Sequence, residues 1–69
     1  NMAKYKIIFD GEEEDEIFST YEAANEQALY LCSCARVGAE TLHMSNPGDY
    51  EYDDETWEDP EYEIIEVED

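Results

Sequence analysis

Positive charge is what this sequence lacks most. Three Lys or Arg residues stand against 21 Asp or Glu, a formal charge of −18 over 69 residues. That shortage excludes direct binding to DNA, RNA or an anionic membrane, because those surfaces demand Lys and Arg. Long hydrophobic runs are also missing: no apolar stretch approaches the roughly 20 residues that span a bilayer, and no signal-peptide core follows a basic start. Only His43 titrates near neutrality, and only Cys32 and Cys34 carry thiols. A zinc set therefore cannot be completed. There is no Gly-rich phosphate loop and no nucleophile motif, and a chain this short lacks the volume for a deep pocket beside a core. What remains is a single-domain, soluble, cytoplasmic binding protein rather than an enzyme, with no cofactor and no metal. Asn1 ahead of Met2 reads as a cloning remnant, which makes Met2 the expected natural start.

What is present argues for a fold. High charge with low hydrophobicity marks disorder, but here 42% of residues are hydrophobic and 13% aromatic. Lys4 to Asp10 alternates Tyr5, Ile7 and Phe9 with Lys6, Ile8 and Asp10, which predicts a strand with one apolar face. Gly11 and the acids Glu12 to Glu16 read as a solvated turn, after which Ile17 and Phe18 return to the core. Ser19 with Glu22 three residues later has the capping-box form. The stretch from Tyr21 to Val37 holds no Gly or Pro, and Ala24, Ala28, Leu31 and Ala35 share one helical stripe with Cys32 beside it. Arg36 suits the last turn and Gly38 the position just past the helix end.

Further on, Glu40 to Ser45 reads as a second strand, Asn46-Pro47-Gly48-Asp49 as a turn, and Tyr50 to Asp53 as a possible short strand. Asp54 to Pro60 reads as loop and Glu61 to Glu68 as the last strand. The expected class is α+β: a single β-α-β-β domain, with one helix packed on a three- to four-stranded, mainly antiparallel sheet.

Charge is spread unevenly. Residues 10–16 hold six acids and residues 49–69 hold twelve, whereas residues 17–48 hold three. Half the sheet and its loops are thus expected to form one negative surface. Calcium is not its expected ligand. Asp49, Glu51 and Asp53 have the opening spacing of an EF-hand loop, but the sixth and twelfth positions are Asp54 and Pro60 instead of Gly and Glu. Cys32 and Cys34 point about 200° apart on a helix, so they read as packing residues. His43, alone on its segment, reads as surface or packing rather than as a general base.

The acidic surface itself is the candidate site. Its carboxylates are Glu12, Glu13, Glu14, Asp15, Glu16, Asp49, Glu51, Asp53, Asp54, Glu55, Glu58, Asp59, Glu61 and Glu63. Tyr50, Tyr52 and Trp57 lie among them as candidate anchors, a role aromatics often fill at interfaces. Same-face residues on a strand lie about 6.6 Å apart and neighbouring strands about 4.8 Å apart, giving a fixed array of negative charge. If the domain spans about 30 Å, a common small-domain diameter, its charge density matches that of duplex DNA, one charge per about 1.7 Å.

In size, charge and the placing of acids on a small αβ scaffold, the chain resembles the DNA-mimic inhibitors of phages and mobile elements, the anti-restriction and anti-CRISPR proteins among them. The resemblance covers composition along the whole chain and rests on no shared motif. It implies a protein that occupies the DNA channel of a basic nucleic-acid-binding partner, in the host cytoplasm if phage-encoded, as a monomer or homodimer. The competing expectation is a small acidic adaptor for a basic protein unrelated to nucleic acid. Eighteen uncompensated charges repel one another in the compact state, so added salt is expected to raise the melting temperature. A calorimetric series from low to high NaCl checks this, and a flat or falling melting temperature would contradict it.

Overall fold

The structure, a computed structural model, describes residues 3–68; the expected start at Met2 lies outside them. Strand β1 (Lys4–Phe9) and strand β2 (Glu12–Glu13) form a hairpin, followed by helix α1 (Tyr21–Ser45) and strand β3 (Tyr62–Val67). The sheet order is β2-β1-β3 with both pairings antiparallel. One helix against a small antiparallel sheet is the expected α+β class. The second strand, however, comes from the acidic run before the helix and not from Glu40 to Ser45.

Asp10 and Gly11 explain the hairpin. Both have positive φ, 53° and 84°, the conformation of a two-residue hairpin turn, for which Asp-Gly is a favoured dipeptide. It sets Phe9 opposite Glu12 and Ile8 opposite Glu13. Lys6 reaches diagonally to Glu13, Nζ to Oε2 at 2.8 Å, a cross-strand pair that ties the acidic strand to the central one. Glu12 and Glu13 are therefore strand where a solvated turn was expected. Beyond them the Glu14 N–H donates to the Ile7 carbonyl, and Phe18 exchanges two backbone hydrogen bonds with Tyr5 at 2.8 and 2.9 Å.

Helix α1 starts one residue later than the capping box suggests. Thr20 is the N-cap, its Oγ1 accepting from the Ala23 N–H at 3.1 Å. The helix also runs eight residues past the expected end, and Gly38 lies inside it without positive φ. A buried stripe decides this: Ala24, Ala28 and Cys32 continue to Ala39 on the same face, so packing overrides a weak stop signal. Asn46 closes the helix, its N–H donating to the Leu42 carbonyl at 2.9 Å. Residues 50–53 form no strand, because they lie along the helix with no strand beside them to complete a ladder.

The core is very small. Among the described residues Ile7 is the one large side chain fully buried, and it meets Ala24 and Ala28 of the helix. Tyr5, Phe9, Phe18, Leu31, Tyr62 and Ile64 pack around that cluster half-buried. Register places Ile64 directly opposite Ile7 on β3, and the two alanines let the helix lie close above them. At 1.5 Å per residue the helix is about 37 Å long, whereas the six-residue strands reach about 20 Å. Its C-terminal half therefore overhangs the sheet, and the Cα envelope measures 52 × 18 × 14 Å.

Two substitutions test this arrangement. A methyl group on Gly38 would meet nothing within 4 Å, so Gly38→Ala should stabilise the protein by about 0.5–1 kcal/mol in urea denaturation. A glycine ending the helix would give a loss instead. Ile7→Ala should cost about 2–5 kcal/mol, most of what a chain this size has to lose.

Candidate acidic interface

The overhanging half of the helix is covered by the segment of residues 46–61, which returns along it as a strap. Its anchors are specific side chains. His43 Nδ1 lies 2.6 Å from the Tyr50 carbonyl oxygen. Arg36 Nε donates to the Tyr52 hydroxyl at 2.8 Å, and Arg36 Nη2 reaches Asp54 Oδ1 at 3.4 Å. Cys32 Sγ is 3.9 Å from the Pro60 carbonyl oxygen, and just past the strap, at the start of β3, the Tyr62 hydroxyl donates to Asn25 at 2.7 Å. The strap also braces itself: Asp53 Oδ1 accepts from the Glu55 N–H at 2.9 Å, and Trp57 Nε1 donates to Asp59 at 3.1 Å.

Arg36, Tyr52 and Asp54 act as one unit. The Tyr52 hydroxyl, accepting from Arg36, is oriented to donate to Asp54. That hydroxyl and the guanidinium together hold the Asp54 carboxyl below its ordinary range. A depressed carboxylate contributes stability above its unfolded-state pKa, which is lost as pH falls through the folded value; acid should therefore loosen the strap at this point. Burial pushes the Tyr52 phenol up, and burial followed by the nearby Asp59 charge does the same to the Cys32 thiol, so neither group is activated as a nucleophile or base.

The two acidic runs meet. The Asp10 N–H donates to the Glu61 carbonyl at 2.8 Å, where the hairpin tip touches the end of the strap. Glu12 and Glu13 on β2 thereby join Glu61 and Glu63, and the strap adds Asp49, Glu51, Asp53, Asp54, Glu55, Glu58 and Asp59. Glu14 sits half-buried on the edge of β1. Asp15 and Glu16 are not brought to this surface, because the chain there runs along β1 toward the Tyr5–Phe18 bridge at the far end of the strand.

The sheet itself contributes less than expected. Its uncovered face pairs Lys4 with Val67, Lys6 with Ile65 and Ile8 with Glu63, so both lysines and three aliphatics occupy the face assigned to acids. The helix flank opposite the buried stripe carries only the helix's own three acids, Glu22, Glu26 and Glu40. Tyr30, Val37 and Met44, spaced seven apart, are 61%, 59% and 80% exposed. Negative charge is thus concentrated on the hairpin and the strap.

Among the candidate aromatics, Tyr52 and Trp57 come together, ring centroids 5.7 Å apart and planes at 47°. Tyr50 stands apart and exposed. Arg36 and His43 are interface residues that sequence reasoning missed. Arg36 is the one cation after Lys6, so a carboxylate partner for it was foreseeable. No group of His, Cys, Asp and Glu suited to a metal ion occurs among the described residues, and no helix among them is long and apolar enough to cross a membrane. No protein-family model, curated protein or solved structure matches the chain.

Arg36→Gln should free the strap while sparing the sheet. Amide exchange across residues 49–59 should quicken and the emission of Trp57, the single tryptophan, should shift red, with exchange in β1 and β3 unchanged. Equal quickening everywhere would mean that Arg36 supports the whole fold.

Proposed function

We propose that the protein is a double-stranded DNA mimic that acts by binding, without catalysis, in the DNA channel of a basic nucleic-acid-binding protein. Inhibition of that partner, in the manner of anti-restriction or anti-CRISPR proteins, is the expected result, and the host cytoplasm is the expected place. The observation that carries this reading is the joining of two acidic runs, residues 10–16 and 49–69, at Asp10 and Glu61. The joined surface belongs to an elongated body, not a sphere. Eighteen net charges over 52 Å amount to one per about 2.9 Å, somewhat sparser than the duplex value of about 1.7 Å per charge. The expectation built on a 30 Å domain is corrected accordingly. Concentration of the acids on strap and hairpin restores part of the local density. Fast, salt-sensitive association with a basic groove follows from such a surface.

The exposed stripe of Tyr30, Val37 and Met44 favours the second reading, an acidic adaptor holding a basic protein partly by apolar contact. Salt separates the two. Partners captured from the source cell should be basic nucleic-acid-binding proteins, release the protein steeply between 50 and 300 mM NaCl, and be competed by duplex DNA. Changing Asp53, Glu55, Glu58 and Asp59 to amides should abolish capture while far-UV circular dichroism is retained. Capture that survives high salt and the amide substitutions but fails in Val37→Glu would establish the adaptor.

A further inference from the structure

Beside the strap's aromatic pair lies a hollow of about 690 Å³, walled by His43, Tyr52 and Trp57 and rimmed by Glu51, Asp53 and Glu58. Its volume falls within the range of ligand pockets, but it opens widely to solvent, so it cannot enclose most of a small molecule's surface as such pockets do. The shape suits a side chain carried by another protein, whose own surface would close the opening.

The chemistry of the walls restricts which side chain. The tilted rings of Tyr52 and Trp57 form a wedge, and a flat cation placed in it would lie within about 6 Å of both ring centres, the range of cation–π attraction. Neither ring must be ordered on binding: the Arg36 hydrogen bond fixes Tyr52, and the Trp57 indole is held by Asp59. Preformed walls reduce the ordering cost of association. At the rim, Glu51 and Glu58 have no cationic partner among the described residues, since the strap's one ion pair joins Arg36 to Asp54. Carboxylates beside aromatic faces match a guanidinium, which stacks through its plane and donates through its edge. An ammonium offers neither the plane nor the fork.

We propose that this hollow receives a single arginine side chain of the protein partner, making Tyr52 and Trp57 a specificity device within the acidic surface. The inference rests on the reading that a basic protein docks on the strap, and it adds a preference for arginine that charge alone does not give.

The test uses the full chain and two dye-labelled probes, acetylated tri-arginine amide and tri-lysine amide, followed by fluorescence anisotropy at fixed salt. The arginine peptide should bind about twofold to fivefold tighter than the lysine peptide, the span of an exposed cation–π contact, and should perturb the Trp57 indole N–H resonance. Trp57→Leu should remove this preference without weakening the lysine peptide, and Trp57→Phe, which keeps a ring, should retain part of it. Equal affinity of the two peptides for the native protein would overturn the arginine site while leaving DNA mimicry intact, because mimicry needs only the charge. Equal loss of preference in the Leu and Phe variants would assign Trp57 a supporting role and overturn the stacking. Retained arginine preference without duplex competition at the captured partner would instead sink the mimic and keep the hollow as an arginine site.

Discussion

Ile7 sits where the helix and both long strands converge, and its burial against Ala24, Ala28 and the facing Ile64 is the attraction on which the fold depends. Complete burial of one isoleucine contributes on the order of 2–3 kcal/mol. Against it works the mutual repulsion of eighteen net charges. The protein limits that repulsion by geography. Acids stay off the helix–sheet seam and off most of the helix surface, and the few cations stand where they bind chain to chain. Lys6 ties the hairpin to β1 and Arg36 ties the strap to the helix, so each joins segments that like charge would drive apart.

The strap gives the acidic surface its form. Twelve acids in the last 21 residues would make a solvated tail if nothing held them, because such a composition buries too little apolar surface to offset its ordering entropy. Here Tyr52 and Trp57 supply half-buried aromatic area, and Arg36, His43 and Asn25 supply hydrogen bonds at intervals along the helix. The overhanging helix is thus the scaffold of the acidic segment, and the segment in turn covers what the sheet cannot reach. Extension of α1 past Gly38 is what makes this possible, since a helix ending at Val37 would lack His43 as the far anchor.

The strands β1 and β3 and the start of the helix could be read from the sequence because each rests on local periodicity: two for Tyr5, Ile7 and Phe9, and 3.6 for Ala24 and Ala28. Errors arose where a local signal competed with a tertiary one. Gly38 and the alternation of Leu42 with Met44 suggested a stop and a strand, yet the stripe already running through Cys32 continues to Ala39. The Asp10-Gly11 hairpin was legible from the dipeptide alone, but the acids after it drew attention to solvation rather than pairing. For the site, the acids and the aromatics Tyr50, Tyr52 and Trp57 could be named from composition, but the contact of Tyr52 with Trp57 could not. The Asp10–Glu61 joint and the Arg36 relay depend on long-range placement, which no window of sequence contains. Asp15 and Glu16 shared the charge of their neighbours but followed a different path along β1.

One further consequence follows from how thinly the helix is charged, with Glu22, Glu26, Glu40 and Arg36 its only Asp, Glu, Lys or Arg residues, beside the strap and hairpin that carry most of the acids. A body strongly negative on one flank and weakly negative on the other carries an electric moment across its long axis as well as a net charge. In the field of a basic cleft it experiences a torque, and it turns its acidic flank forward while still diffusing. The rotational part of the search is then largely complete before contact, whereas an evenly acidic body of the same charge would arrive in any orientation.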